Sequence, residues 1–270
     1  MLVVACVKQV PDTSQVKIDP ATGTLIRDGV PFIMNPFDTH ALEESLRLKD
    51  RFGLRVAVVS MGPPSADVIL RKALAIGADM TVLLSDRAFA GADTLSTSLV
   101  LSEAIRRLGQ QEEVALVLCG RQTIDGDTAQ VGPGIATRLN LSQLTLVDQI
   151  QNVDTQSRKV RVRRKLEGRY EIAEAPLPAL IGVVREINRP RYPTVPGRLM
   201  AEKATMTLWD NNVMQLPKES IGLKGSPTHV CRIFAPERAK GEMLGDGTGQ
   251  PEESARLLLD KLTSKTIISL

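Results

Sequence analysis

The sequence predicts an α/β fold built on a doubly wound, mostly parallel sheet, extended by a β-hairpin and a C-terminal arm. Three observations point there: near-continuous apolar runs in the first half, amphipathic stretches with recognisable ends between them, and a change to period-two alternation from about Leu144. Strands covered on both faces read as unbroken apolar runs, and alternating strands and helices build a parallel layer.

In chain order, the strands are residues 2–7 (LVVACV), 54–60 (LRVAVVS), 81–84 (TVLL) and 114–119 (VALVLC). The first intervening helix takes Asn35 as its cap, Pro36 as its first residue and Asp38 near the positive end of its dipole. Ala41, Leu42, Ser45, Leu46 and Lys49 follow at helical spacing. A second helix opens at Pro63 or Pro64, buries Val68, Ile69, Ala73, Ile76 and the Lys72 stem, and stops at Gly77. Asp93 caps a third, which runs through Leu95, Leu99, Ser102, Ile105 and Leu108 to Gly109.

Residues 159–165 (KVRVRRK) and 169–173 (RYEIA) flank 166–168 and alternate basic with apolar side chains, the pattern of a hairpin with one wet face. Arg161, Arg163, Arg164 and Lys165 then form a solvated face, with a partner contact as the alternative. Residues 178–184 make a last strand. The stretch 189–198 (RPRYPTVPGR) carries three prolines and reads as an exposed loop of fixed shape, neither helix nor central strand. Beyond residue 205 only 251–262 has a good helical pattern, so the tail reads as an arm that packs on something else.

Composition narrows the function. Of 270 residues, 43% are hydrophobic and 24% charged, which fits a soluble globular protein and excludes a disordered or collagenous one. Lys+Arg 34 against Asp+Glu 31 leaves +3, spread along the chain, so nucleic acid and anionic membranes are disfavoured as partners. Aromatic residues are 3%, too few for stacking platforms, so any base or flavin must rest mainly on backbone and aliphatic groups. Cys6, Cys119 and Cys231 are odd in number and far apart, which suits reduced thiols and a cytoplasmic location. The run 2–7 is too short for a signal segment, and no stretch of about 18 apolar residues predicts a membrane span.

The strongest local signal is 120–134, GRQTIDGDTAQVGPG, directly after a strand. In open parallel sheets ligands bind beyond the carboxyl ends of strands. Gly120, Gly126, Gly132 and Gly134 would let backbone amides approach a pyrophosphate or ribose, Asp127 with Gln130 has capping-box spacing, and Thr128 and Gln130 offer neutral donors. An ordinary strand-to-helix connection is the competing reading. Asp125 and Asp127 suit ribose hydroxyls or capping better than a bare phosphate. The G-D-G-T-G at 245–249 follows no strand and reads as a loop. His40 and His229, the two histidines, have no neighbours at metal-ligand spacing, so no metal is expected.

Four segments in order resemble the β subunit of electron transfer flavoproteins: V-K-Q-V-P-D at 7–12, N-P-F-D at 35–38, G-R-Q-T-I-D-G-D-T-A-Q at 120–130 and N-R-P-R-Y-P-T-V-P at 188–196. The resemblance implies an adenine nucleotide alpha hydrolase-like domain over 1–185, a partner recognition loop over 186–204 and an arm over 205–270 that packs on the α subunit of a heterodimer. Carried onto this sequence, the cofactor-binding residues are Ala5, Cys6, Val7, Asn35, Phe37, Asp38, Met61, Thr94, Gly120, Arg121, Gln122, Thr123, Asp125, Gly126, Asp127, Thr128, Ala129, Gln130, Val131, Gly132 and Pro133. Arg191, Tyr192, Val195, Pro196 and Arg198 fall in the partner loop, and no residue is assigned a catalytic role.

Respiratory members hold AMP here and read N-P-F-C and three consecutive aspartates where this chain has Asp38 and Asp125-Gly126-Asp127. The departures resemble the two-flavin members, in which FAD replaces AMP. That implies NADH as donor, an acyl-CoA dehydrogenase-type flavoenzyme as partner and, in bifurcating members, ferredoxin or flavodoxin as a second acceptor. Gly126 and a bend at Gly132-Pro133-Gly134 are expected to open room for the larger ligand. Two other classes compete. A universal-stress-type nucleotide sensor leaves the arm and the Pro-rich loop unexplained, and an NAD-dependent dehydrogenase needs a dinucleotide fingerprint that is absent.

Overall fold

Leu2–Cys6 is buried at every residue, which a strand achieves only with a layer on each face. The structure, a computed structural model, describes residues 1–12, 17–18, 25–26, 31–228, 241–245 and 247–268. It divides into two units, Met1–Cys231 and Arg232–Leu270. Cys231 and His229 lie outside the described residues.

The first unit contains β1 (Leu2–Cys6), β2 (Gln9–Pro11), β3 (Lys17–Ile18), β4 (Leu25–Ile26), β5 (Phe32–Met34), α1 (Pro36–Phe52), β6 (Arg55–Met61), α2 (Asp67–Ala75), β7 (Met80–Leu84), α3 (Thr94–Gln111) and β8 (Val114–Gly120). It continues with α4 (Val131–Leu139), β9 (Ser142–Asp154), β10 (Lys159–Leu166), β11 (Arg169–Pro176), β12 (Ala179–Val183), α5 (Val195–Lys203), β13 (Thr207–Trp209) and α6 (Asn211–Met214). The second unit holds α7 (Pro251–Ser264).

One nine-stranded sheet runs β11-β10-β9-β12-β8-β1-β6-β7-β13. It is parallel from β9 to β13, and the β9-β10-β11 meander is antiparallel, so the doubly wound layer and the hairpin both stand. Strand side chains alternate between two cores. Val3, Ala5, Val56, Val58 and Leu118 pack with Leu42, Leu46 and Leu70 of α1 and α2, while Leu2, Val4, Ala57, Val59 and Val117 pack with Val100, Ile105 and Ile135 of α3 and α4.

Several local expectations give way. Val68 and Leu95 are exposed, because each lies on the outer side of its helix. α3 passes Gly109 and ends at Gln111. Gly132, Pro133 and Gly134 form no bend; they are the first turn of α4, where a Cβ on Gly132 would lie 2.7 Å from Cys119 Sγ and one on Gly134 2.8 Å from Ser98. These glycines permit close packing and do not widen the site. The proline-rich stretch is loop only to Thr194; α5 starts at Val195, because proline is tolerated in a first helical turn and Thr194 accepts a hydrogen bond from the Gly197 amide. The tail from residue 205 begins inside the sheet, since Thr207–Trp209 pairs with β7.

Three of the four basic residues expected on the hairpin face are paired within the protein, Arg163 with Asp148, Arg164 with Glu171 and Lys165 with Glu186, while Arg161 is exposed. The glycine-rich stretch near 245–249 lies outside any helix or strand in its described residues. No helix of the described residues is long and apolar enough to cross a membrane.

Candidate functional site

The chain leaves β1 toward β6 and β7, then returns to the opposite neighbour, β8. The carboxyl ends of β1 and β8 therefore bracket the switch point of the sheet, with Cys6 beside Cys119. A cleft of about 1290 Å³ opens there.

Its walls come from successive strand ends: Cys6 to Gln9 after β1, Met61 to Pro64 after β6, Ser85 to Asp93 after β7 and the loop after β8. Asp38 of α1, Thr94, Thr97 and Leu101 of α3, Ile135 of α4 and Thr228 complete it.

Asp38, in the first turn of α1, joins the two sides of the switch point. Its Oδ2 accepts from the Lys8 amide at 2.8 Å and its Oδ1 from the Gly120 amide at 3.2 Å, tying the ends of both strands together. A Cβ on Gly120 would sit 2.5 Å from Asp38 Oδ1 and 2.7 Å from Phe37 Cβ, so this approach requires glycine. Burial pushes the Asp38 carboxyl up to about 7, against hydrogen bonds from Asn35, Lys8 and Gly120 that favour the charged form. Burial also lifts the Cys119 thiol to about 12 and the Cys6 thiol well above its ordinary value, with nearby charges adding to each, so both stay protonated.

Asn35 does not cap α1 with its side chain. Its Nδ2 donates to the Gln122 carbonyl at 2.9 Å and its Oδ1 accepts from the Ile124 amide at 3.2 Å. The loop after β8 has no ladder of its own, so its backbone groups need a side chain of this kind. Lys8 Nζ reaches Asp125 at 2.6 Å and Gln122 Nε2 donates to Asp127 at 2.8 Å. Asp125 titrates below the usual carboxylate range: partial burial opposes this, and bonds from Lys8 and Thr123 outweigh it. Asp127 and Ala129 are in the left-handed region at φ 50° and 55°, a backbone cost of order 1 kcal/mol each.

The expected capping box is absent. α4 starts at Val131, and the Gln130 side chain accepts from Thr94 Oγ1 at 2.9 Å, tying α3 to α4 across the cleft mouth. Asp93 caps α3 as expected, accepting from the Leu95 and Ser96 amides, and its other oxygen accepts from Thr228.

Sixteen expected site residues reach the cleft: Cys6, Val7, Asp38, Met61, Thr94, Gly120, Arg121, Gln122, Thr123, Asp125, Gly126, Thr128, Ala129, Gln130, Val131 and Gly132. Ala5 is buried in the core, Asn35 and Phe37 stand behind the wall, Asp127 bonds to Gln122, and Pro133 lines a separate pocket of about 280 Å³. In the Pro-rich segment Tyr192, Val195, Pro196 and Arg198 are exposed, whereas Arg191 turns inward onto Glu43 and Asp50. His40 faces Asn188 at 3.0 Å, remote from a base's role in the cleft.

Lys8 and the wall from Ser85 to Ala90 were not assigned to the site from the sequence, whereas the segments 91–94 and 222–228, which supply Gly91, Ala92, Asp93 and Thr228 to the wall, are among those that resemble the two-flavin members. The first two follow strand ends and were open to the rule that located the main loop; Thr228 was legible only through the resemblance of its segment, since it follows no strand end. Among the described residues no group of three or more His, Cys, Asp or Glu could hold a metal.

Fold and cleft together define an α/β protein with an open cleft of nucleotide dimensions at its switch point. Residues 22–213 match the electron transfer flavoprotein domain. The chain is 47% identical over 262 residues to Protein FixA of Azotobacter vinelandii, covering 96% of this chain and 93% of the relative. It is 48% identical over 270 residues to the Caffeyl-CoA reductase-Etf complex subunit CarD of Acetobacterium woodii, covering 99% and 100%. It is 46% identical over 271 residues to the electron transfer flavoprotein subunit beta of Thermoanaerobacterium thermosaccharolyticum, again covering 99% and 100%. The chain belongs to the electron transfer flavoprotein family, among its beta subunits.

Proposed function

We propose that this subunit binds FAD in the switch-point cleft and, with an α subunit, passes electrons from NADH to an acyl-CoA dehydrogenase-type flavoenzyme in the cytoplasm. Ferredoxin or flavodoxin would serve as a second, low-potential acceptor. The observation that carries the FAD reading is size: about 1290 Å³ exceeds the roughly 300–1,000 Å³ usual for drug-sized ligands, which favours a dinucleotide over AMP.

The lining fits such a ligand. Among the described residues Phe89 is the one aromatic side chain in the wall, so a ring system would lie on Val7, Met61, Leu101 and Ile135 and on backbone. The hydroxyls of Thr94, Thr97 and Thr128 and the Gln130 side chain line the cleft at the starts of α3 and α4, and the first turn of α4, which carries no acidic cap, is where a helix dipole favours phosphate. Bound FAD would supply hydride acceptance and electron release; the protein supplies orientation and polarity. Lys8 and Asp125 would close the mouth, and Asp38 would hold the two strand ends beneath it.

In this reading residues 1–185 carry the cofactor and 186–204 dock the dehydrogenase through Tyr192, Val195, Pro196 and Arg198. The tail packs on the α subunit, with α7 exposing Leu257, Leu258 and Leu259 for that contact. The test is to co-express both subunits, denature the purified heterodimer and quantify released nucleotides. Two FAD and no AMP per heterodimer are expected; one of each would return the site to AMP and overturn the FAD reading.

A further inference from the structure

The Pro-rich segment ends in a helix whose mounting is unlike that of a surface loop. On α5, Val195, Leu199 and Met200 are 73%, 57% and 62% exposed, and Tyr192 just before it 91%. Exposed apolar groups gain nothing from such rigidity by themselves, yet both ends of the segment are fixed to the α/β layer.

At the front, Arg191 donates through Nε and Nη2 to Glu43 at 2.9 and 3.1 Å, and Nη2 also reaches Asp50 at 2.8 Å. Asn188 donates to the His40 carbonyl and to Glu44 at 2.9 and 3.0 Å. At the back, Arg71 of α2 sends Nη1 to the carbonyls of Ala201, Glu202 and Ala204, at 2.9, 3.0 and 3.2 Å. These lie in the last turn and at the cap, where carbonyls lack the usual helical partners and carry the negative end of the dipole; only Ala201 also accepts from the Ala204 amide, at 3.3 Å. Asp67 holds Arg71 through Nε at 3.1 Å. Between the ends, Gly197 lies so close to α2 that an added Cβ would be 2.3 Å from the Ala75 carbonyl oxygen.

We infer that Arg71 and Gly197 are positioning residues that hold α5 as a preformed docking helix, its apolar side turned outward in one fixed orientation. The inference rests on the proposed docking role of residues 186–204 and adds what makes that surface rigid. A partner that fits is a protein with an apolar pocket and an acidic rim, since Arg189, Arg198 and Lys203 flank the exposed stripe against the single acid Glu202. Preorganisation of this kind raises affinity by removing the ordering cost from the binding step. α2 starts just after the cleft-wall residues Gly62 to Pro64 and is nine residues, about 14 Å, long. The docking helix is thus held by Arg71 at the middle and Ala75 at the far end of the short helix whose near end follows the cleft wall.

The experiment uses the purified heterodimer as wild type, Arg71→Ala, Arg71→Lys and Gly197→Ala. Hydrogen exchange is followed over residues 195–203. Electron transfer is measured both to a small dye and to an acyl-CoA dehydrogenase purified from the same organism. Arg71→Ala and Gly197→Ala are expected to lose amide protection in 195–203 alone and to raise KM for the dehydrogenase about tenfold, at unchanged kcat, dye rate and nucleotide content. Arg71→Lys recovers part of both effects. Unchanged protection in Arg71→Ala, or lost protection with unchanged KM, overturns the inference. A wild-type complex that reduces the dye but not the dehydrogenase instead overturns the docking role itself.

Discussion

Replacing Asp38 by asparagine tests the link between the two strand ends. In the folded protein the carboxyl titrates at about 7, against an ordinary 3.8, because burial opposes its ionisation. Between these values the folded state holds a proton that the unfolded chain has released, so stability falls as pH rises through the window and is level above it. The displacement of about three pH units corresponds to a loss of about 4 kcal/mol between acid and neutral pH, an upper figure because bound ligand and relaxation reduce it. The Asp38→Asn variant has no ionisable group at this position and loses the slope. The amide also replaces one acceptor by a donor facing Lys8 N or Gly120 N, a mismatch of about 1–3 kcal/mol at acid pH. Urea unfolding of the complex, followed by Trp209 fluorescence at fixed concentration from pH 5 to 8, should show the variant weaker than wild type at pH 5 and the gap closing or reversing by pH 8. Parallel pH profiles would falsify the assignment of that slope to Asp38.

Gly132→Ala drives a methyl against Cys119 Sγ and should cost about 1–3 kcal/mol in unfolding free energy while lowering the nucleotide retained on gel filtration. Lys8→Met removes a half-exposed ion pair and should change stability by less than about 1 kcal/mol, yet speed ligand loss measured by dilution. Asp93→Ala removes the α3 cap and the Thr228 contact, a loss of about 1 kcal/mol by denaturant titration. Since Asp93 titrates below its ordinary value, the cap's contribution is present above about pH 4 and fades as pH falls further, so the variant and wild type should converge in acid.

How the family resemblance meets the geometry is clearest in the loop after β8. The glycines, acids and hydroxyls of 120–130 stood out by composition, and all but Asp127 line the cleft. Their individual roles did not follow from local spacing. Asp127 and Gln130 match a capping box, but Asp127 turns to Gln122 and Gln130 to Thr94, because the loop takes left-handed turns at Asp127 and Ala129 that spacing does not encode. Val195–Lys203 was hidden by its prolines, whose effect depends on whether they fall in the first helical turn or the interior.

The sequence by itself determined the parallel layer, the chain order of its strands and helices, the hairpin and the loop that lines the cleft, because apolar periodicity and helix ends are properties of neighbouring residues. The tertiary structure alone decided that Asp38 joins β1 to β8, that Asn35 holds the loop, that Arg71 and Arg191 secure α5 and that Thr228 reaches Asp93. Each of these links spans 30 to 148 residues. Contacts at such separations depend on which strand ends the crossovers bring together, and side-chain type carries no record of that.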